Sequence, residues 1–234
     1  MDLTKAFTYV FEDKEWMMKM LIGGLLSIVS FFIIPIFILG GYSLKIMRNV
    51  KKGVDQPLPE WDEWGDLLKD GFSVALIQFV YTLPILIIMC IAFATTGGLA
   101  SFEDLSDEAL GAAMAGTFGI VGCLFLIYFI AMIFITPAIR IQYVKHNDLS
   151  AGFRFSEIIA IIRENIMDIL LITGVMMGVG FAFALVNTVL AVIPCIGQII
   201  SFVLSIAFGP YFGMVNGHMM GQLAHKVETN AASA

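Results

Sequence analysis

The sequence predicts an all-α integral membrane bundle of about five transmembrane helices, with two or three amphipathic helices lying at the interface. Three observations carry this. First, 59% of the 234 residues are hydrophobic and 14% are charged, with 20 Phe and 22 Gly, whereas soluble chains run at roughly 45–50% apolar and about 25% charged. A water-soluble domain of this size leaves about a quarter or more of its unfolded surface wet, and cannot hide so much apolar side chain. Second, the apolar residues fall in five runs of the length that crosses hydrocarbon, roughly 20 residues each. Third, Lys and Arg segregate into some of the connecting segments and are missing from others.

The runs come in this order. Leu21 to Leu44 holds no ionisable residue and reads as one tilted crossing; its alternative is a re-entrant pair broken at Pro35. It is too long for the core of a secretory leader and reads as a retained anchor. Gly71 to Ala94 follows, with Gln78 its most polar member. Then come Gly111 to Ile139, Ile166 to Ile193, and Ile199 to about Met219. Pro194 and Gly197 interrupt the last two runs, which predicts a tight hairpin there, because Pro cannot continue a helix and Gly permits the reversal. The whole chain, 1–234, reads as one membrane domain. It has an interfacial segment (1–19), two long loops (45–70 and 140–165) and a polar tail (222–234).

Lys45, Arg48, Lys51, Lys52 and Lys69 lie in the first long loop, and Arg140, Lys145, Arg154 and Arg163 in the second. The intervening loop carries Glu103, Asp104, Asp107 and Glu108 instead. Basic loops face the cytoplasm, so loops 45–70 and 140–165 are expected inside, at the plasma membrane. Five crossings then put the C-terminus inside and the N-terminus outside. Lys5, Lys14 and Lys19 conflict with that assignment.

Three segments carry helical apolar faces beside charge: Thr4 to Met18, Pro57 to Lys69 with Pro59 suited to a first turn, and Ser150 to Arg163. Trp16, Trp61 and Trp64 are expected as anchors at headgroup depth. Glu60, Asp62, Glu63 and Asp66 form an acidic loop that offers a surface to a basic partner; they fall on different helix sides, which disfavours a compact metal cage. Ala6-Phe7 and Gly152-Phe153 open similar surface segments, a weak echo compatible with inverted halves.

Gly197, Ser201, Ser205, Gly209, Gly213, Gly217 and Gly221 recur every four residues. Lipid tails are as apolar as leucine, so helices in a bilayer associate through close van der Waals contact and hydrogen bonds, which small residues permit. The stripe advances about 40° per step and therefore suits two neighbours, one near each end. Within it, Gly209→Leu and Gly213→Leu are expected to lower stability.

Chemistry-bearing residues are sparse. Cys90, Cys123 and Cys195 read as small buried hydrophobes. His146 falls in a loop, and His218 and His225 read as interfacial or solvated, their spacing of seven being wrong for a helical zinc pair. Asp168, inside the fourth run, is expected to pair with Arg163 or Lys145, or to reach the interface. No cofactor, metal or catalytic residue is expected. The net charge of −6 disfavours nucleic acid as a partner. Expected partners are membrane lipids and either a second copy of the chain or another membrane protein.

Gly40-Gly41-Tyr42, then Lys45 to Gly53, Pro57-Leu58-Pro59-Glu60-Trp61-Asp62-Glu63-Trp64-Gly65 and Asp70-Gly71 resemble the domain of unknown function 4013, a family of prokaryotic multi-spanning membrane proteins. Gly217 to Ala224 resembles its C-terminal pattern, so the likeness covers nearly the whole chain. The resemblance implies a membrane location and several spans, and brings no activity or site residue. The leading expectation is a non-enzymatic protein that packs with or recruits partners. A small-solute transporter or channel comes second, and a lipid-modifying enzyme third.

Overall fold

A computed structural model describes residues 1–99 and 106–233. Glu103 and Asp104 of the expected acidic loop lie outside these. The described residues form seven α-helices: α1 (Leu3–Glu12), α2 (Trp16–Ile28), α3 (Ile34–Lys51), α4 (Trp64–Leu99), α5 (Asp107–His146), α6 (Phe155–Ala191) and α7 (Ile196–Ser233). Short 3₁₀ turns follow α2 (Val29–Phe32) and α5 (Leu149–Phe153). Local chemistry sets several ends. Asp2 and Ser106 accept from the N–H groups of Lys5 and Ala109, capping otherwise orphaned donors. Asn147, at φ 54°, closes α5 in the left-handed conformation that Asn tolerates.

Helices α4 to α7 are each long and apolar enough to cross a membrane. The 36 residues of α4 make it about 54 Å long at 1.5 Å per residue. The last two meet at the expected hairpin, with Cys195 at φ 61° in the turn. Asn165, at φ −127°, is non-helical and kinks α6, so the part of the third amphipathic segment from Phe155 onward meets the fourth apolar run at a bend.

The first apolar run departs from the single crossing. Helix α2 gives way to its 3₁₀ turn, Ile33 turns at φ 68°, and α3 restarts with Pro35 in its first turn. A continuous helix through Pro35 would lose a hydrogen bond and clash with the preceding turn, whereas the first turn of a new helix accommodates proline. Helix α2 runs antiparallel to α7, with Trp16 beside the Phe11 that meets Tyr211, Gly24 against Ile206, and Ile28 near Val203. Helix α3 runs parallel to α7, with Gly217 against Ser43 and Gly221 against Val50. The run is therefore a hairpin whose two limbs return to the same end of the bundle. Its tip, Phe31 to Ile34, is largely exposed; Phe31 keeps 88% of its surface.

This corrects the expected position of the N-terminus. The backbone N–H of Asp2 donates to Gln222 Oε1 at 2.7 Å, and Lys51 pairs with Glu228 at 3.3 Å. Arg48 reaches both Asp70 and Asn147. The N-terminal segment, both long loops and the C-terminal part of α7 thus share one end, and all 13 Lys and Arg residues belong to the segments gathered there. The lysines before residue 20 no longer oppose the charge rule. The packed core sits in this half, around Met47, Ile77, Ile139, Ile169, Met219 and Leu223. Beyond it the helices turn bare apolar surface outward, and the most apolar stretch of α5 has no buried residue.

Candidate functional site at the basic end

The basic end is built on one backbone crossing. Gly41 of α3 meets Leu67 of α4, and Gly71 of α4 meets Phe37 of α3. A Cβ added to Gly41 would overlap the Leu67 carbonyl oxygen and lie 2.6 Å from its carbon; one added to Gly71 would overlap the Phe37 oxygen and lie 2.8 Å from the Gly41 nitrogen. This approach sets Arg48 on Asp70, whose other oxygen accepts from Tyr143 Oη at 2.8 Å. The Arg48 guanidinium lies 5.7 Å from the Tyr143 ring centroid, within cation–π range. A cavity of about 290 Å³ beside it is lined by Lys45, Arg48, Lys52, Lys69, Glu63 and Asp66.

A second node centres on Lys19, whose side chain is only 4% exposed. Its Nζ lies 2.8 Å from Asp13 and 2.6 Å from Glu60, and it donates to Leu58 O at 3.3 Å. Burial draws the Lys19 pKa down, but the hydrogen bonds to Asp13 and Glu60 outweigh it and hold the ammonium above its ordinary value. The Lys19 carbonyl accepts from Trp61 Nε1 at 3.1 Å; the Trp61 ring stacks 3.9 Å from Tyr42, whose hydroxyl donates to Pro59 O. Burial pushes the Tyr42 hydroxyl well above the usual phenol range.

These contacts change the reading of the loop. Residues 57–63 are not helical, and the helix begins at Trp64 and continues as α4. Trp61 is 8% exposed, so it is a pillar inside the protein and not an anchor in headgroups. Trp64, at 41% exposed, and Trp16, half-buried against Phe11, remain at the surface. Three of the four acidic candidates are taken internally: Glu60 by Lys19, and Asp62 and Glu63 by Lys45 at 3.6 and 2.7 Å. Asp66 lines the basic cavity.

The stripe of small residues on α7 divides by depth. At the basic end, a Cβ on Gly217 would lie 2.7 Å from Ser43 O, and one on Gly221 would lie 2.6 Å from Val50 Cβ. Gly213 has open space, although its carbonyl accepts from Ser43 Oγ at 3.0 Å; a Cβ on Gly209 would lie 3.6 Å from Ser27 Oγ. Ser201 bonds Asn187 of α6, Ser205 bonds its own helix, and a Cβ on Gly197, in the hairpin turn, would lie 2.9 Å from the Leu190 carbonyl carbon. The expected sensitivity therefore moves toward the end of α7. Gly221→Leu should destabilise the detergent-purified protein by about 1–3 kcal/mol through overpacking and lower its melting temperature accordingly, and Gly213→Leu should do so far less. Matching melting curves for the two variants would refute this placement.

Other candidates are relocated. Asp168 pairs with Lys226 at 2.5 Å, across α6 and α7, and not with Arg163 or Lys145. His218 is buried, 4.4 Å from the Tyr9 ring and hydrogen-bonded to Gln222. His225 bonds the Lys51 carbonyl, and His146 approaches Glu157 at 3.6 Å. Cys90 and Cys123 are exposed on helices and Cys195 is exposed in the hairpin turn, so none is buried.

One group that composition and spacing treated only as part of the basic loop stands apart. Arg140 of α5 donates to Asn216 of α7 at 3.1 Å, and its Nε is enclosed without a hydrogen-bond partner. It lines a cavity of about 460 Å³ between α5, α6 and α7 and a smaller one of about 140 Å³ toward α3 and α4. The sequence signal was its place directly after the apolar run that ends at Ile139.

A helical bundle with four membrane-length helices, a re-entrant hairpin and its cations at one end is a multi-spanning membrane protein of the kind the apolar runs predict. The chain belongs to the family described as protein of unknown function DUF4013, whose model matches residues 24–192. Gly217 to Ala224 lies beyond the matched residues. Among curated proteins, an uncharacterized protein of Methanocaldococcus jannaschii is 30% identical over 141 residues, covering 59% of this chain and 46% of that one. The chain thus spans less than half the length of that relative. No solved structure matches it.

Proposed function

We propose that the protein is a non-enzymatic assembly component of a prokaryotic plasma membrane, held with its basic end in the cytoplasm and joined to a second copy or another membrane protein through the outer half of α5. The supporting observation is the unoccupied small-residue surface of α5. Around Gly116, Gly119 and Gly122 no atom lies within 4 Å of where a Cβ would be, and Phe118, Phe125 and Phe129 point outward beside them. Small residues bring helices together in lipid when a second backbone is available, and among the described residues none comes within 4 Å of these three positions. The acidic loop, with three carboxylates already paired, is less suited to recruitment than this face. The basic end faces inward on the strength of its collected lysines and arginines.

Cys123 is exposed on the same helix and serves as the probe. In native membranes, a variant retaining only Cys123 should form a disulfide-linked pair on mild oxidation, or a mixed product with another membrane protein, and Gly119→Leu should abolish it. A chain that stays uncrosslinked from Cys123 and runs as a solitary monomer in mild detergent would sink the proposal.

A further inference from the structure

The cavity at Arg140 has the chemistry of a lipid site. Arg140 is the first residue past the apolar stretch of α5, one turn before the Tyr143–Asp70 bond, where the apolar half of the bundle gives way to the basic end. Among the described residues no carboxylate pairs with it. Its one side-chain partner is the neutral Asn216, and its Nε is buried without any. On the opposite side, Gln78 lines the smaller cavity and its Nε2 is also buried without a partner. A guanidinium held among helices at this depth is costly unless an anion joins it.

The surroundings describe that anion. Thr136, Thr173 and Asn216 share the larger cavity with Arg140, while Met132, Ile133, Met177 and Phe212 form its apolar wall. Its volume of about 460 Å³ falls within the range of small-molecule sites. A planar guanidinium whose side-chain partner is a single neutral amide suits a phosphate, and an apolar wall beside it suits acyl chain. We propose that this cavity binds the phosphate of an anionic phospholipid, with Arg140 holding the headgroup and α5, α6 and α7 enclosing the start of a chain. The site does not depend on the assembly reading.

Thermal melting of protein purified in neutral detergent tests it, with phosphatidylglycerol, phosphatidylcholine or inorganic phosphate added, alongside mass spectrometry of the intact protein for retained lipid. Phosphatidylglycerol should raise the melting temperature and remain bound, and phosphatidylcholine should do neither. Arg140→Gln should lose both effects while melting no lower than the wild type without lipid, because it removes an uncompensated charge. Arg140→Lys should keep part of the shift. Gly180 lines the cavity and a Cβ there meets nothing within 4 Å, so Gly180→Leu should fold normally and exclude the lipid. Equal shifts with both lipids, the full shift from inorganic phosphate alone, or an undiminished phosphatidylglycerol shift in Arg140→Gln or Gly180→Leu would each overturn the proposal.

Discussion

Gly71→Ala is expected to abolish recovery of folded protein, and Gly41→Ala to do the same. The added methyl of Gly71→Ala would lie 2.6 Å from the Phe37 carbonyl carbon and 2.8 Å from the Gly41 nitrogen, and that of Gly41→Ala 2.8 Å from Leu67 Cα. These neighbours are backbone, so no rotamer change makes room, and α3 and α4 must separate. Separation does not stay local. It pulls Arg48 from Asp70, loosens Leu67, which is 1% exposed, and disturbs the Tyr42–Trp61 stack. The cost belongs with the exceptional single substitutions, about 4 kcal/mol or more, whereas a mid-helix Gly→Ala change without a clash is favourable by up to about 1 kcal/mol. Gly65→Ala and Gly174→Ala provide that contrast, since neither position has an atom within 4 Å of the new carbon. Size-exclusion profiles after heating the detergent-solubilised protein distinguish the cases. Gly71→Ala eluting and melting like Gly65→Ala would show that the helices do not cross this closely.

The same two glycines explain part of the family likeness. Gly40-Gly41 and Asp70-Gly71 are two halves of one contact, with Arg48 and Asp70 as its polar seal. The sequence showed these motifs but not that they meet, because about thirty residues separate the glycine pairs and 22 separate Arg48 from Asp70, and no local periodicity links one to the other. What was legible is what local composition controls: the apolar length of α4 to α7, and the reversal at Pro194 with Gly197. The hairpin in the first apolar run was not, since a tilted span and a broken one share the same uncharged residues. Its limbs are set by docking on α7, where Gly23 and Gly24 meet Pro210 and Ile206. Pro35 and the misplaced lysines of residues 1–19 were its signs in the sequence. The pairing of the acidic loop was hidden for a related reason: Glu60, Asp62 and Glu63 meet Lys19 and Lys45 only once α2 and α3 pack beside the loop. Arg140 looked like an ordinary flanking cation because its surroundings come from four other helices, α3, α4, α6 and α7.

Lys19 offers the clearest energetic test of how the N-terminal segment is held. Its ammonium and the Asp13 carboxylate are both nearly buried, with side chains 4% and 9% exposed. Breaking such a pair by removing one partner strands the other charge and costs about 3–5 kcal/mol, whereas neutralising both is close to neutral. Lys19→Met is therefore expected to destabilise strongly, and Lys19→Met combined with Asp13→Asn to recover most of the loss. Asparagine suits the second change because its side-chain oxygen still accepts from the Glu15 N–H, as Asp13 does at 2.7 Å. The Glu60 partner differs: its side chain is 59% exposed, and ion pairs with one solvated member are worth about 1 kcal/mol or less, so Glu60→Gln should change stability little. The pH dependence has a definite sign. The folded-state pKa of Lys19 is raised above its ordinary 10.5, so its contribution is fully present below that value and is lost as pH climbs through the raised one. The gap in melting temperature between wild type and Lys19→Met should stay constant from neutral pH to about 10 and close only above it. A double variant no more stable than Lys19→Met alone would mean that Asp13 is not stranded by the loss of Lys19, and that α2 is anchored by the Trp61 contact instead.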